Sequence, residues 1–172
     1  MSSDNDNFDA IEAQGLTSVH EPRSTKQKNS TIRRSRRVSI ENDGKVAFAF
    51  IEKKLRSSYL FLSLDNDTIS ELAGEFEVVE YDPGAVIIEE GVFSDEDVAY
   101  FFIVCDGECK VEKHGKQLHG EFGKLQNGMT FGERPILFND KERKATVVAS
   151  KTSTATGSVV LYRLNGKTDG MW

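Results

Sequence analysis

Beyond Phe76 the apolar residues of this chain arrive in short runs that break at turn-forming residues. Glu77-Val78-Val79-Glu80-Tyr81 and Ala85-Val86-Ile87-Ile88-Glu89 are separated by Asp82-Pro83-Gly84, and residues 99–105 meet Cys109-Lys110-Val111 across Asp106-Gly107. His114-Gly115, Gly120, Gly123 and Asn127-Gly128 supply further turns, and residues 146–149 and 158–164 supply closing strands. Runs this short are too brief for ordinary helices, and the intervening residues are those that let a chain reverse between paired strands. A succession of such strands predicts a small β-roll or barrel. One helical turn, within residues 131–146, is the only interruption expected.

Ahead of the strands the period is helical. Phe48, Ile51, Leu55, Tyr59 and Leu62 recur at spacings of three and four, which predicts one helix with a single apolar face across residues 46–62. Leu64-Asp65-Asn66-Asp67 breaks it. A second helix is expected to start near Asp67 or Thr68, where Thr68-Ile69-Ser70-Glu71 fits a capping box and Ile69, Leu72, Ala73 and Phe76 share a face. The predicted class is α+β, with a helical lead-in at 46–74, a β-roll at 75–165 and a short tail at 166–172.

The interruption itself reads as an anion site. Phe131-Gly132-Glu133 opens a helix, Arg143 stands ten residues past Glu133, and Ala145-Thr146 lead back into an apolar strand. Free N–H groups at a helix start favour a phosphate, and a guanidinium offers a planar fork of donors to its oxygens. Glu133, an acceptor only, suits a sugar hydroxyl. The segment resembles the phosphate-binding cassette of cyclic nucleotide-binding domains, matched at Phe131, Gly132, Glu133, Ile136, Leu137, Arg143, Ala145 and Thr146. Pro83-Gly84, Gly91, Gly107 and Gly128 fall where that family places glycines, and the resemblance spans residues 46 to 164. It implies that Glu133 holds the ribose 2′-hydroxyl, Arg143 the cyclic phosphate, and Gly132 and Ala145 offer backbone donors. Ile136, Lys144 and Thr146 complete the implied ligand set. Two places depart from the pattern. Pro135 has no N–H to give where the family uses a small residue, and residues 91–98 form an expanded acidic loop. Lys144 occupies the position where a threonine selects cGMP, so the implied ligand is cAMP, with cGMP as the second option. The family also continues into a long helix that covers the purine, whereas here the sequence runs out at Trp172.

Charge splits the first quarter of the chain. Residues 1–22 carry five acids and no lysine or arginine, and residues 23–37 carry seven bases and no acid. Neither block has an apolar pattern able to offset the entropy of ordering, so residues 1–45 are expected to be a disordered tail. Within it, residues 33–40 resemble the substrate-like inhibitor segment of regulatory subunits of cAMP-dependent protein kinase: Arg36 and Arg37, a spacer, Ser39, then Ile40. An extended peptide of this kind lays its arginines on kinase carboxylates and presents the serine to the transferring phosphate. The implied partner is a protein kinase catalytic subunit.

Composition sets limits. A net charge of −6 argues against general nucleic-acid binding, and no apolar run approaches the length of a bilayer span. With neither signal peptide nor myristoylation glycine at the start, a cytoplasmic setting is expected. Cys105 and Cys109 lack histidines at ligand spacing and are expected as reduced thiols, with no metal and no cofactor. His114 and His119 read as surface residues. No nucleophile and base pair is present, so the expected role is regulatory rather than catalytic: a cyclic nucleotide-binding protein that inhibits a kinase and releases it on binding cAMP. The alternatives are the amino-terminal regulatory part of a cGMP-dependent protein kinase, and a domain whose ligand has been lost or changed.

Overall fold

A computed structural model describes residues 32–37, 44–92, 99–138, 142–151 and 157–166. The acidic block, Ser39, Ile40, most of the 91–98 loop and Trp172 lie outside the described residues.

Helix α1 spans Gly44–Ser57 and helix α2 spans Asn66–Gly74, with a 3₁₀ turn at Tyr59–Phe61 between them. Lys54 and Arg56 in the last turn of α1 lie where the helix dipole favours cations, and Arg56 pairs with Glu52 one turn back at 3.1 Å. The single helix expected over residues 46–62 therefore stops early. Ser58 is extended, and its side chain accepts from Leu60 N to start the 3₁₀ turn. That reset rotates the register: Ile51, Leu55 and Phe61 are buried, while Tyr59 and Leu62, expected on the apolar face, are exposed. The cap of α2 also differs from expectation. Asp65, not Thr68, is the N-cap, with its carboxylate accepting from Thr68 N at 2.8 Å. Ile69, Leu72, Ala73 and Phe76 are buried as their spacing predicts.

Among the described residues there are ten strands: β1 Ile32–Arg37, β2 Glu77–Tyr81, β3 Val86–Ile88, β4 Tyr100–Asp106, β5 Glu108–Lys113, β6 Lys116–Gln117, β7 Lys124–Leu125, β8 Thr130–Phe131, β9 Thr146–Lys151 and β10 Val159–Asn165; β2–β5, β9 and β10 lie on the runs expected from the turn residues, whereas β1 and the two-residue strands do not. They form two antiparallel sheets, one in the order β1-β2-β10-β4-β8 and one in the order β3-β9-β5-β6 with β7 also on β5. Helix α3, Arg134–Phe138, interrupts them, as does a 3₁₀ turn at Gly120–Phe122 that the sequence reading does not include.

The middle of the first sheet, β2, β10 and β4, is buried on both faces because these strands alternate between two apolar partners. On β4, Phe101 and Ile103 join the cluster under the helices, with Phe61, Phe76, Val78, Tyr162 and Leu164. Phe102 and Val104 point the other way, into the cluster between the sheets with Val79, Tyr81, Val147, Ala149 and Leu161. This two-sided burial explains why β4 reads as an unbroken apolar run rather than an alternating one.

One expectation for the tail is overturned. Residues 32–37 are not a free extended segment: β1 pairs antiparallel with β2 at the edge of the first sheet. The partner lies some forty residues away, beyond the reach of local composition.

Candidate functional site

The candidate site lies where β8, α3 and the start of β9 meet the inter-sheet cluster. Phe131 on β8 stacks on Phe102 of β4, with ring centroids 4.8 Å apart and planes within 10°. The chain then turns at Gly132 with φ of 86°, passing so close to β4 that a Cβ there would stand 2.4 Å from the carbonyl oxygen of Tyr100. Only glycine allows both the turn and the approach. Glu133 follows, and α3 starts at Arg134.

Arg143 returns to the same point from the other side. Its backbone is bonded at both ends to the 90s turn: Gly91 N donates to Arg143 O at 2.8 Å and Arg143 N donates to Val92 O at 3.0 Å. Glu90 N donates to Thr146 Oγ1 at 3.0 Å, closing the same clamp. Arg143 as a whole is buried, at 9% exposure, and its Nη1 donates to the carbonyl of Gly132 at 3.2 Å. Burial pushes the Arg143 guanidinium below its ordinary value, and the nearby Glu133 carboxylate opposes that shift. Arginine nevertheless stays charged at any accessible pH. The fold therefore holds a cation in a largely apolar recess, an arrangement that favours an anionic partner.

That recess is a cavity of about 190 Å³. Ile88, Val111, Leu125, Phe131 and Val147 form its apolar wall, and Gly132, Glu133, Arg143, Lys144 and Ala145 its polar side, joined by Arg134, Pro135, Thr130 and Glu142. Of the residues named from sequence, Gly132, Glu133, Arg143, Lys144 and Ala145 are brought together here. Ile136 and Thr146 are not. Ile136 packs against the cluster under the helices and approaches Gly166, because one face of a single helical turn must cover the core. Thr146 supports the 90s turn through its hydroxyl. Lys144 is exposed, with Nζ 2.6 Å from Glu142 Oε2. The wall residues Ile88, Val111 and Val147 were not named from sequence. Their signal is strand alternation, and it becomes readable only once the sheets are paired.

Among the described residues no group of three or more histidines, cysteines or acids is placed to hold a metal, and no described helix is long and apolar enough to cross a membrane. Cys105 and Cys109 are free thiols.

A cyclic nucleotide-binding domain model matches residues 78–166, just over half of the chain. The chain belongs to the cyclic nucleotide-binding domain family. The chain is 32% identical over 112 residues to a cGMP-dependent protein kinase of Toxoplasma gondii, a match covering 65% of this chain and 10% of that protein. It is 33% identical over 102 residues to a cAMP-dependent protein kinase regulatory subunit of Mycosarcoma maydis, covering 59% and 18%. The matched part of the chain thus spans less than a fifth of either relative. Its fold is shared with the regulatory subunit of a cAMP-independent protein kinase A from Trypanosoma brucei, with a TM-score of 0.57 and 22% identity over 71% of this chain and 40% of that one.

Proposed function

We propose that the cavity binds the ribose and cyclic phosphate of cAMP, and that this binding controls a kinase-inhibiting segment around Arg36, Arg37, Ser39 and Ile40. The observation that carries the reading is Arg143, a guanidinium buried in an apolar recess beside a carboxylate of separate role. Arg143 takes the phosphate as a planar fork, and Glu133 accepts from the ribose 2′-hydroxyl. Gly132 and Ala145 contribute backbone donors, and Lys144 lies at the base. A volume of about 190 Å³ is below the roughly 300–1,000 Å³ of sites that enclose a whole drug-sized ligand, so the base sits at the rim.

The protein acts as a regulator rather than a catalyst, in the cytoplasm, with a protein kinase catalytic subunit as partner. Binding energy alone does not move an equilibrium; cAMP releases the kinase only by favouring the released state over the inhibited one. The relatives include both cAMP- and cGMP-linked proteins, and Lys144 in place of threonine favours cAMP.

A second reading, a domain retuned to another purine ligand, draws on Pro135. It lines the cavity and brings no N–H, so one phosphate donor is missing. Calorimetric titration with cAMP, cGMP and inosine separates the readings. cAMP is expected to bind most tightly. Preference for inosine supports the retuned site, and preference for cGMP supports the regulatory part of a cGMP-dependent kinase.

A further inference from the structure

The arginine-rich segment already has a docking place within this molecule. β1 carries Arg33, Arg34, Arg36 and Arg37, and the stretch it lies along, residues 77–82, carries Glu77, Glu80 and Asp82. The antiparallel register sets Arg34 opposite Glu80 and Arg37 opposite Glu77. Unlike charges directly opposed stabilise a strand pair, so charge and backbone pairing select the same alignment. Two further contacts lie on this edge: Arg33 stands 3.6 Å from Asp82, and Ser35 Oγ donates to Glu77 Oε2 at 3.4 Å. Apolar anchorage is slight. Residues 32–35 are all exposed, Ile32 included. A strand held by ladder bonds and exposed ion pairs belongs to the least stable layer of a fold.

We infer that the edge of β2 is a docking surface for the chain's own arginine-rich segment, and that a kinase cleft has to compete with it. The competition rests on the kinase reading proposed above; the docking does not. One extended segment has a single set of backbone N–H and C=O groups and a single set of arginines. While Arg36 and Arg37 are paired along β2, the same backbone cannot lie in a second acidic groove. Kinase binding therefore peels β1 from the sheet. High salt loosens it as well, because the charges involved are exposed.

The test uses the full chain carrying Arg34→Cys and Glu80→Cys, two opposed positions that disulfide geometry permits to join when the strand is docked. Under mild oxidation the monomer is expected to cross-link between these positions. The oxidised form is then expected to inhibit a cAMP-dependent protein kinase catalytic subunit at least tenfold less well than the same variant after reduction. Equal inhibition by the two forms overturns the competition. Failure to cross-link, together with unprotected amides at 32–37 in hydrogen exchange of the unmodified chain, overturns the docking. A reduced variant and an unmodified chain that both leave the kinase untouched overturn the competition and the kinase reading together, and cross-linking in that case upholds the docking alone.

Discussion

A methyl group added at Gly132 would meet the Tyr100 carbonyl at 2.4 Å on a backbone with φ of 86°, whereas one added at Gly84, with φ of 91°, meets nothing within 4 Å. The two glycines separate conformational cost from crowding. Gly84→Ala is expected to cost about 1–2 kcal/mol for the left-handed backbone alone. Gly132→Ala adds a backbone collision and is expected to cost about 2–5 kcal/mol, measured by urea unfolding. Equal losses would mean that the close approach to β4 is not enforced. Cys109 gives a second residue-level test. Burial, with Glu108 adding to it, pushes its thiol up to about 12, so almost none is thiolate at pH 8. Alkylation of Cys109 in the folded chain is expected to be far slower than in urea, and modification at the unfolded rate would contradict the placement of β5 in the core.

At the scale of elements, α2 depends on its cap. The Thr68 backbone N–H bonded to Asp65 holds that carboxyl below its ordinary value of 3.8. A depressed folded-state value means that the cap stabilises above the unfolded value, and that its contribution falls away as pH drops through the folded one. Asp65→Ala is therefore expected to lower Tm at pH 7, and the gap from the unmodified chain is expected to close as pH falls below the ordinary aspartate range. A gap that stays constant with pH would argue against the carboxylate as cap. β4, like β2 and β10, contributes to both cores. Phe101 lies edge-on to Phe61 and Phe76, with centroids 5.6 and 6.3 Å away, and Phe101→Ala is expected to cost about 3–5 kcal/mol by denaturant titration.

For the whole molecule, what could be read in the sequence was what local chemistry determines. Asp106-Gly107 marks a turn because Gly107 has φ of 96° and its N–H is met by the neighbouring Asp106 carboxylate at 2.8 Å. Gly132, Glu133 and Arg143 were legible for the same reason, being fixed by a short segment. Partners distant in the chain were not legible. The basic run at 32–37 reads as solvated, yet Ser35 meets Glu77 42 residues on; likewise nothing near Arg143 announces that Gly91 and Val92 clamp its backbone. Ile136 entered the ligand set through the family resemblance alone, and which face of that single helical turn the core takes becomes readable only in the structure, where Ile136 packs against the cluster under the helices. The decisive measurement is calorimetry of cAMP with the unmodified chain, Arg143→Ala and Arg143→Lys, each first shown to be folded by circular dichroism. Arg143→Ala is expected to weaken binding by about 2–5 kcal/mol, a loss of roughly 30-fold or more, with Arg143→Lys falling between. A folded Arg143→Ala chain that binds cAMP as tightly as the unmodified one would contradict this expectation.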